Sequence, residues 1–389
     1  MIKPNFIDKL LDGVEVEWKP LGEVSEIGTG SSNRQDEDER GKYPFYVRSK
    51  NVLKSNTFQF DETAIVVPGE GAIGDIFHFV QGKYALHQRA YRIHLLSNKV
   101  NTKFLFYVMS ESFKQYILMK SVGATSISIR KPMFEKFPIP IPPLKVQEEI
   151  VRILDIFTDL TAELTAELTA RKKQYEYYRD KLLTFEDGQV DWKTLGEVAH
   201  EFGRGKSKHR PRNDTKLYGG TIPFIQTGDI RNAPHIIREF TQTYCKFGLE
   251  QSKLWPKGTL CITIAANIAE TTILGFDSCF PDSVIGFVAN PQKTSSRYVE
   301  YLLTSYKSKL QSKSTGSAQD NINLSTFESL LLPFPTLEEQ ERIVAILDKF
   351  DSLTSSITEG LPREINLRQK QYEYYRNMLL SFPKKGVEE

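Results

Sequence analysis

Two stretches of the chain carry apolar residues at the spacing of a long amphipathic helix. In the first stretch these residues are Ile150, Ile153, Leu154, Phe157, Leu160, Leu164 and Leu168. Their spacing of three or four positions gives a helix one buried face. Residues 145–183 contain neither glycine nor proline, which predicts a single helix of roughly 60 Å.

The second stretch repeats this pattern at Ile343, Ile346, Leu347, Phe350, Leu353 and Ile357. It continues into Gly360 and Pro362, where we predict a break or kink, because proline removes a helical hydrogen bond and clashes with the preceding turn. Two amphipathic helices bury their apolar faces most simply against each other, which predicts an antiparallel coiled coil.

Before each helix lies a block of short, β-branched apolar runs separated by turn residues. Residues 64–67 and 259–264 are two such runs, which are typical of buried strands. Each block closes with a helical pattern, at residues 104–119 and 298–310. The sequence therefore predicts an α+β fold in which two mixed domains alternate with two long helices.

The two halves of the chain share one frame. Six of seven positions match between residues 18–24 and 192–198, eight of eleven between 147–157 and 340–350, and eleven of fifteen between 171–185 and 368–382. The blocks between these segments share little. An internal repeat of this kind predicts two halves related by a pseudo-two-fold axis.

The N-terminus carries a further piece of the frame. Residues 8–11 repeat residues 180–183, so the chain begins with the tail of the repeat unit, and we predict that the N-terminal segment completes the second half-repeat. The predicted divisions are this segment, a first mixed domain, a central helix region, a second mixed domain and a C-terminal helix region, at residues 1–17, 18–142, 143–186, 187–335 and 336–389.

Composition excludes several classes of protein. Of the 389 residues, 40% are hydrophobic and 26% are charged, as in packed soluble domains. No apolar run is long enough to span a bilayer. Three cysteines without a CxxC pair predict neither disulfides nor zinc and favour a reducing, cytoplasmic compartment. Because the net charge is only +2, a polyanion would have to be bound by local patches.

No catalytic signature is complete. Residues 205–207 resemble the end of a phosphate-binding loop, but His200 stands where its first glycine belongs. Residues 26–30 resemble the glycine loop of a methyltransferase that uses S-adenosylmethionine, but the third glycine is missing. The six histidines show no HExxH spacing. We therefore predict neither an active site nor a metal site in this chain.

Two segments are candidates for binding DNA. Residues 203–212 carry five full positive charges and no carboxylate, at Arg204, Lys206, Lys208, Arg210 and Arg212. A flexible basic loop suits phosphate contacts, although a solvated surface loop would look alike. Residues 82–92 mix donors and rings suited to base edges, at Lys83, Tyr84, His87, Gln88, Arg89 and Arg92. A strand with one core face is the alternative there.

Short polar side chains precede both long helices. They are Thr125, Ser126 and Ser128, followed by Arg130 and Lys131, in the first loop, and Gln319 and Asn321 in the second. Such side chains suit direct readout of bases, but loops that only cap helices would look much the same.

The ends of the helices are rich in tyrosine, at Tyr175, Tyr177, Tyr178, Tyr372, Tyr374 and Tyr375. Tyr175 and Tyr178 share one helical stripe with Leu182, which favours packing between helices. Docking of a partner protein is the alternative, because tyrosine is enriched at interfaces.

In combination, these motifs resemble the DNA-specificity subunits of type I restriction-modification systems. Each half opens with Trp-Lys-x-Leu-Gly-Glu-Val, and each long helix contains Gln-Glu-x-Ile-Val-x-Ile-Leu-Asp after a proline-rich stretch. The resemblance covers nearly the whole chain. It implies that the mixed domains are target recognition domains, each reading one half of an asymmetric, bipartite site in double-stranded DNA. It also implies that the helices set the spacing and dock two methyltransferase subunits.

The resemblance further implies a chain without catalysis of its own. Restriction–translocase subunits join the complex for cleavage, and S-adenosylmethionine, ATP and magnesium belong to the partner subunits. No membrane partner is expected. Two alternatives remain, a coiled-coil scaffold that does not bind DNA and an enzyme with an unrecognised site.

A tandem repeat lies inside the first helix, where residues 161–164 are followed directly by an identical copy at 165–168. The two copies form a candidate spacer, whose copies begin at Thr161 and Thr165 and end at Leu164 and Leu168. Removing one copy shortens a helix by about 6 Å and turns the rest of that helix by about 40°. One base pair of DNA advances by about 3.4 Å and about 36°. We predict that the repeat sets the gap between half-sites; a slippage product without a role is the alternative.

Overall fold

The computed structural model describes residues 6–70, 74–120, 129–186, 188–264, 269–315, 324–355 and 359–383. The chain divides into two compact units. Unit 1 comprises residues 1–165 and 364–389, and unit 2 comprises residues 166–363. Each unit contains one mixed domain together with parts of both long helices.

Up to the end of the first long helix, the described part of the chain forms these elements in order: α1 (Phe6–Leu11), β1 (Glu17–Pro20), β2 (Ser25–Thr29), β3 (Tyr43–Tyr46), β4 (Leu53–Ser55), β5 (Phe60–Pro68), β6 (His78–Leu86), β7 (Ala90–Leu95), α2 (Thr102–Lys120), α3 (Lys131–Glu135), β8 (Pro138–Ile141) and α4 (Leu144–Leu182).

A six-stranded sheet forms the centre of unit 1, in the order β2-β7-β5-β6-β3-β4. Its strands pair antiparallel except β3 and β6, which are parallel. Helix α2 contributes Leu105, Met109 and Phe113 to a buried cluster that also holds Ile65 and Ile93 of the sheet. Strands β1 and β8 pair separately, so the two ends of the mixed domain close on each other.

The rest of the chain continues with these elements: β9 (Asp191–Lys193), α5 (Leu195–Val198), β10 (Ala199–Arg204), β11 (Tyr218–Phe224), α6 (Thr227–Asn232), β12 (Ile236–Ile237), β13 (Gln242–Tyr244), α7 (Lys246–Glu250), β14 (Leu254–Trp255), β15 (Leu260–Thr263), β16 (Thr271–Leu274), β17 (Ser278–Cys279), β18 (Val284–Ala289), α8 (Ser296–Thr315), α9 (Leu324–Glu328), β19 (Leu332–Phe334), α10 (Leu337–Thr354) and α11 (Gly360–Leu380).

Unit 2 repeats this plan with its strands divided between two sheets. One has the order β10-β18-β15-β16-β12 and the other β13-β11-β17-β14. Strands β9 and β19 pair as β1 and β8 do. Helices α8 and α10 bury Tyr298, Leu302, Ile343 and Leu347 in one cluster. The α+β class and the internal repeat are thereby confirmed.

The two long helices differ as predicted. Helix α4 runs without interruption for 39 residues, whereas α10 ends at Thr354 and α11 begins at Gly360. Gly360 has a φ of +71°, a left-handed conformation that favours glycine. Pro362 lies in the first turn of α11, where its missing N–H costs no helical hydrogen bond. The predicted break is confirmed.

Helix α4 pairs with a different partner helix in each unit. In unit 1, Phe157 stacks on Tyr375 of α11 with ring centroids 5.2 Å apart. In unit 2, Tyr178 stacks on Phe350 of α10 at 5.7 Å. Within unit 1, Ile150 and Leu154 near the start of α4 share a cluster with Leu379 and Phe382 at the end of the second long helix. This is the order of an antiparallel pair and confirms that prediction.

The N-terminal segment lies in unit 1, as far as the structure describes it. Ile7 and Leu11 of α1 share a hydrophobic cluster with Leu379 and Phe382 at the end of the second long helix. The indole Nε1 of Trp18 donates to the carbonyl of Pro383 at 3.0 Å. The segment predicted to complete the second half-repeat is therefore packed beside the tail of that repeat, within unit 1.

Candidate nucleic-acid interface

Arginine and glutamate side chains meet at one end of the unit 1 sheet. Arg89, in the turn between β6 and β7, and Arg48, after β3, donate to the same Oε2 of Glu70 at 3.0 and 3.1 Å. Hydrogen bonding to Arg89, aided by Arg48 and opposed by partial burial, holds the pKa of Glu70 below its usual value. Glu70 is therefore charged at neutral pH and holds two cations in one place.

The backbone brings a third segment to the same end. The amide of Gly69 donates to the carbonyl of Arg89 at 2.9 Å, and the carbonyl of Gly69 accepts from the amide of Ile129 at 3.0 Å. Arg130 follows Ile129 and is exposed. The structure thus joins two candidate segments that are separate in the sequence, around Arg89 and around Arg130.

Gln88 and His87, the other candidates in the turn between β6 and β7, differ in their exposure to solvent. Gln88 is exposed and donates to Oδ1 of Asn33 at 2.6 Å. His87 is buried, and its Nδ1 accepts from the amide of Arg89 at 3.0 Å. Burial, together with the nearby charges of Arg48 and Arg89, lowers the pKa of His87, so its ring is neutral and orders the turn.

Two of the sequence-predicted residues are interior. Tyr84 is fully buried and donates to Glu62 at 2.8 Å. Arg92 is buried, donates to both oxygens of Glu62 at 3.1 Å and lies over the ring of Phe60. The core face of the sheet and the carboxylate of Glu62 thus already satisfy Tyr84 and Arg92 in this structure. Their contact with DNA stays a prediction.

The two candidate lysines of unit 1, Lys83 and Lys131, are at the surface. Lys83 is exposed and lies 4.7 Å above the ring centre of Phe58. Lys131 opens α3 and pairs with Glu135 one turn later at 3.7 Å. Thr125, Ser126, Ser128, Gln319 and Asn321 lie outside the described residues.

The basic loop of unit 2 is held by many hydrogen bonds, which corrects the expectation of a flexible loop. The amide of Lys208 donates to Gln251, and the carbonyl of Lys206 accepts from Ser252. Arg210 donates to two carbonyls of its own loop, and Arg212 donates to both oxygens of Asp282 at 2.9 Å.

Gly205 allows the backbone of this loop to pack closely against Phe280. A Cβ on Gly205 would lie 2.3 Å from the carbonyl oxygen of Phe280, a separation that no side chain tolerates. Arg204, Lys206 and Lys208 point into solvent. Within the described part of the chain, no carboxylate pairs with these three cations, so they remain available for phosphates.

A cleft of about 450 Å³ lies beside the basic loop. Arg212, Gln226 and Gln242 supply polar groups to its lining, and Phe224 and Tyr244 supply stacked rings 4.0 Å apart. The side-chain amide of Gln226 donates to Oε1 of Gln242 at 2.6 Å. Arginine and glutamine are the side chains that pair in bidentate fashion with guanine and adenine.

We call the polar side chains at this end of each unit its loop edge: Arg48, Glu70, Gln88 and Arg89 in unit 1, and Arg212, Gln226 and Gln242 in unit 2. Neighbouring loops of the two units make matching contacts. In unit 1 the amide of Gly69 donates to Arg89, and in unit 2 the amide of Ile264 donates to Ser283. A Cβ on Gly30 would strike the carbonyl of Leu86 just as one on Gly205 would strike that of Phe280. The parallel pairs β3–β6 and β11–β17 lie beside these contacts.

Sequence reasoning missed four members of the loop edges, Arg48, Glu70, Gln226 and Gln242. The available signal was positional: Arg48 and Gln226 closely follow a short strand that contains Pro-Phe, and Glu70 follows the buried strand β5. Polar residues just beyond buried strands often form binding sites on a rigid scaffold.

The tyrosines of the long helices separate into packed and exposed residues. Rings of Tyr175 and Tyr178 contact Phe350 in unit 2, and in unit 1 Tyr372 and Tyr375 join the cluster at the end of α11. Tyr177 and Tyr374 are 61% and 65% exposed. Packing accounts for the first four, and a docking role stays a prediction for the other two.

The spacer residues belong to continuous helix. Thr161 and Thr165 donate to the carbonyls one turn earlier, at 2.7 Å each. Leu164 and Leu168 are half-buried. Over the described residues there is no group of side chains suited to a metal ion, and no helix there is long and apolar enough to cross a membrane.

Comparison with known proteins gives consistent results. The family model described as the type I restriction modification DNA specificity domain matches residues 13–171 and 189–367. The EcoR124I/EcoR124II specificity subunit of Escherichia coli is 34% identical over 415 residues, covering 99% of this chain and 98% of that protein. The EcoprrI specificity subunit of Escherichia coli is 30% identical over 401 residues, with 92% and 93% covered.

The fold also matches a solved structure. The type I restriction-modification S subunit from M. genitalium aligns with a TM-score of 0.61 at 16% identity, covering 96% of this chain and 98% of that one.

Proposed function

The chain belongs to the type I restriction-modification DNA specificity family and is a subunit for DNA sequence recognition, and on this premise we propose that the loop edge of each unit reads one half of a bipartite DNA site. This proposal rests on one observation, which is that both units have a loop edge. Each unit presents arginine and amide side chains beside loops that make matching backbone contacts. Two such readers in one chain suit a site with two different halves.

Phosphates are bound first by exposed cations that pair with no carboxylate among the residues that the structure describes. In unit 2 these are Arg204, Lys206 and Lys208, which are exposed on a loop with a fixed backbone. A fixed loop loses little conformational freedom on binding, so its charges position the protein on the duplex. In unit 1 the exposed cations Lys83 and Arg130 take this role.

Base edges are read by the paired groups. Arg89 and Arg48 match the O6 and N7 acceptors of guanine, and Glu70 matches the amino group of cytosine. Gln226 and Gln242 match adenine, whose major-groove edge offers one donor and one acceptor. The internal bonds of these groups keep them oriented in the absence of DNA and are exchanged for bonds to the bases.

The chain performs no catalytic step in this proposal. Two methyltransferase subunits, bound partly through Tyr177 and Tyr374, carry S-adenosylmethionine and modify the DNA. Restriction–translocase subunits with ATP and magnesium cleave it. The long helices set the length of the gap between the half-sites, and the complex works in the cytoplasm, where it meets cellular DNA.

A map of modified bases tests the proposal. The chain is co-expressed with the methyltransferase encoded beside it, and genomic DNA is sequenced for methylation, with the methyltransferase alone as the control. We expect one methylated motif of two half-sites with a gap of fixed length, present only with this chain. A stable complex of the two proteins that creates no motif would support the scaffold alternative instead.

A further inference from the structure

A repeated set of buried polar contacts joins each mixed domain to the first turns of its long helix. In unit 1 the side-chain amide of Gln147, fully buried on α4, donates to the carbonyls of Lys99 and Pro142 at 2.9 and 2.7 Å. Its oxygen accepts from the amide of Asn101 at 2.8 Å. A single side chain thus satisfies three backbone groups of the domain.

Two turns further along α4, a carboxylate makes the second contact. Asp155 accepts from Lys103 at 2.7 Å and from the hydroxyl of Tyr107 at 2.5 Å, both on α2. Burial, followed by the bond to Asp155, raises the pKa of Tyr107, so the phenol stays a hydrogen-bond donor. We call Gln147, Lys103, Tyr107 and Asp155 the helix latch of unit 1.

Unit 2 carries the same latch at the matching positions of its repeat. Gln340 of α10 donates to the carbonyls of Lys293 and Pro335 at 3.0 and 2.9 Å and accepts from the hydroxyl of Thr294 at 2.8 Å. Asp348 accepts from Arg297 at 2.7 Å and from Tyr301 at 2.6 Å. The main difference between the two latches is the cation, which is a lysine in unit 1 and an arginine in unit 2.

The hydrogen bonds and ion pairs of the latch have preferred directions, unlike the apolar contacts between the same helix and its mixed domain. Clusters such as Ile150 and Leu154 against Phe104 and Val108 tolerate small rotations, because apolar contact has no preferred direction. A buried amide or carboxylate that loses its partners is costly. A helix that slid or turned on its domain would break several such bonds together, so the latch selects one register and one angle.

We propose that the helix latch is the device that gives the bipartite site a single gap length. This inference rests on the proposed function, in which the helices measure the distance between half-sites. An error of about 3.4 Å or about 36° at the attachment corresponds to one base pair. Gln147, Tyr107 and Asp155, with Gln340, Tyr301 and Asp348, are thus positioning residues that never touch DNA.

The test reads gap length in methylated DNA from cells that express the full chain with its methyltransferase. Three variants weaken the unit 1 latch: Tyr107→Phe, Asp155→Asn and Gln147→Leu. Tyr107→Phe removes one hydroxyl and keeps the ring, so it retains the packing. We expect unchanged half-sites, with methylation at gaps one base pair longer or shorter raised at least tenfold relative to the unmodified chain.

Two control variants should keep a single gap. Lys103→Arg installs the cation that unit 2 uses, and it should hold Asp155 equally well. Arg152→Gln removes an exposed ion pair with Glu149 on the same helix, outside the latch.

A purely structural role predicts a different result. The latch variants would then form less complex with the methyltransferase and melt at a lower temperature, but would still methylate DNA at one gap length. That result would overturn the inference and leave the proposed function intact. Absence of any bipartite motif with the unmodified chain would refute both.

Discussion

Arg89 and Arg92 lie three residues apart and contact carboxylates in different environments. The side chain of Arg92 is 9% exposed and is paired with Glu26 and Glu62 beside the core. That of Arg89 is 55% exposed and shares Glu70 with Arg48. Solvent screens the Arg89 pair and weakens it, so a base or phosphate can replace Glu70 there, whereas Arg92 is held in the interior.

Replacing Arg89 by alanine should relax recognition at one position of one half-site. A bidentate contact to a base contributes about 1–3 kcal/mol of discrimination, so we expect roughly a 5- to 150-fold loss of preference there, with the other half-site unchanged. The measurement is binding of the assembled complex to a DNA library. Arg342→Ala is the matched control, because Arg342 is 53% exposed and also pairs with a glutamate.

In unit 2, His235 contacts two carboxylates, one on α8 and one on α10, the helix that carries Gln340 and Asp348 of the latch. Its Nδ1 lies 2.9 Å from Glu300, and its Nε2 contacts Asp351, with Arg297 and Tyr301 also facing it. Burial opposes the charge on the ring, but hydrogen bonds to Asp351 and Glu300 raise the pKa of His235 to about 9.

The stabilisation from His235 should disappear in alkaline solution. A raised pKa means that the folded state holds the proton more tightly, so the contribution is complete below about pH 6.5 and is lost as the pH rises through about 9. We expect the melting temperature to fall more between pH 7 and pH 10 in the unmodified chain than in His235→Gln. Parallel curves would contradict this assignment.

At the scale of elements, α4 is an uninterrupted helix that both units share. The division between the units falls between Thr165 and Ala166, inside the tandem repeat at residues 161–168. A change of length at that place alters α4 beyond the residues of the unit 1 latch and leaves the residues of both latches and of the loop edges in the chain. The geometry of a helix then determines the size of the change.

Deleting residues 165–168 should keep both half-sites and change the gap by about one base pair, because the rest of the helix turns by about 40°, close to the twist of one base pair, while the helix shortens by about 6 Å. Methylation mapping reports the gap directly. Replacing the same four residues by alanines keeps the helical length and should keep the gap. An unchanged gap after the deletion would show that the repeat has no measuring role.

At the scale of the whole molecule, each unit has hydrophobic clusters of its own. The largest clusters of unit 1 and unit 2 contain residues of one unit each. Strands β1 and β8 frame the first mixed domain, and β9 and β19 frame the second. Recognition and framework are therefore separable parts of each half.

Exchanging one mixed domain should change one half-site. We expect a chain whose residues 25–137 come from the EcoR124I/EcoR124II subunit, with Lys103 and Tyr107 retained, to methylate a motif with one new half and one unchanged half. The reciprocal exchange of residues 199–331 should change the other half. A motif altered in both halves by either exchange would contradict independent reading.

Local patterns in the sequence are enough to predict the elements and their repetition. Helical periodicity, the absence of glycine and proline from residues 145–183, and the presence of Gly360 and Pro362 predicted one continuous and one broken helix. These features depend on neighbours within a turn or two of the chain. The repeated frame likewise predicted two equivalent halves and the family.

Which of the candidate side chains are exposed depends instead on contacts made in the folded protein. Tyr84 and Arg92 alternate with exposed residues in the sequence, but partners distant in sequence bury them. Gly205 looked like a source of flexibility and instead permits close contact with Phe280. Gln226 and Gln242, or Gln147 and Asn101, become partners only through the fold. Burial and pairing depend on contacts between distant residues, which a local pattern does not contain.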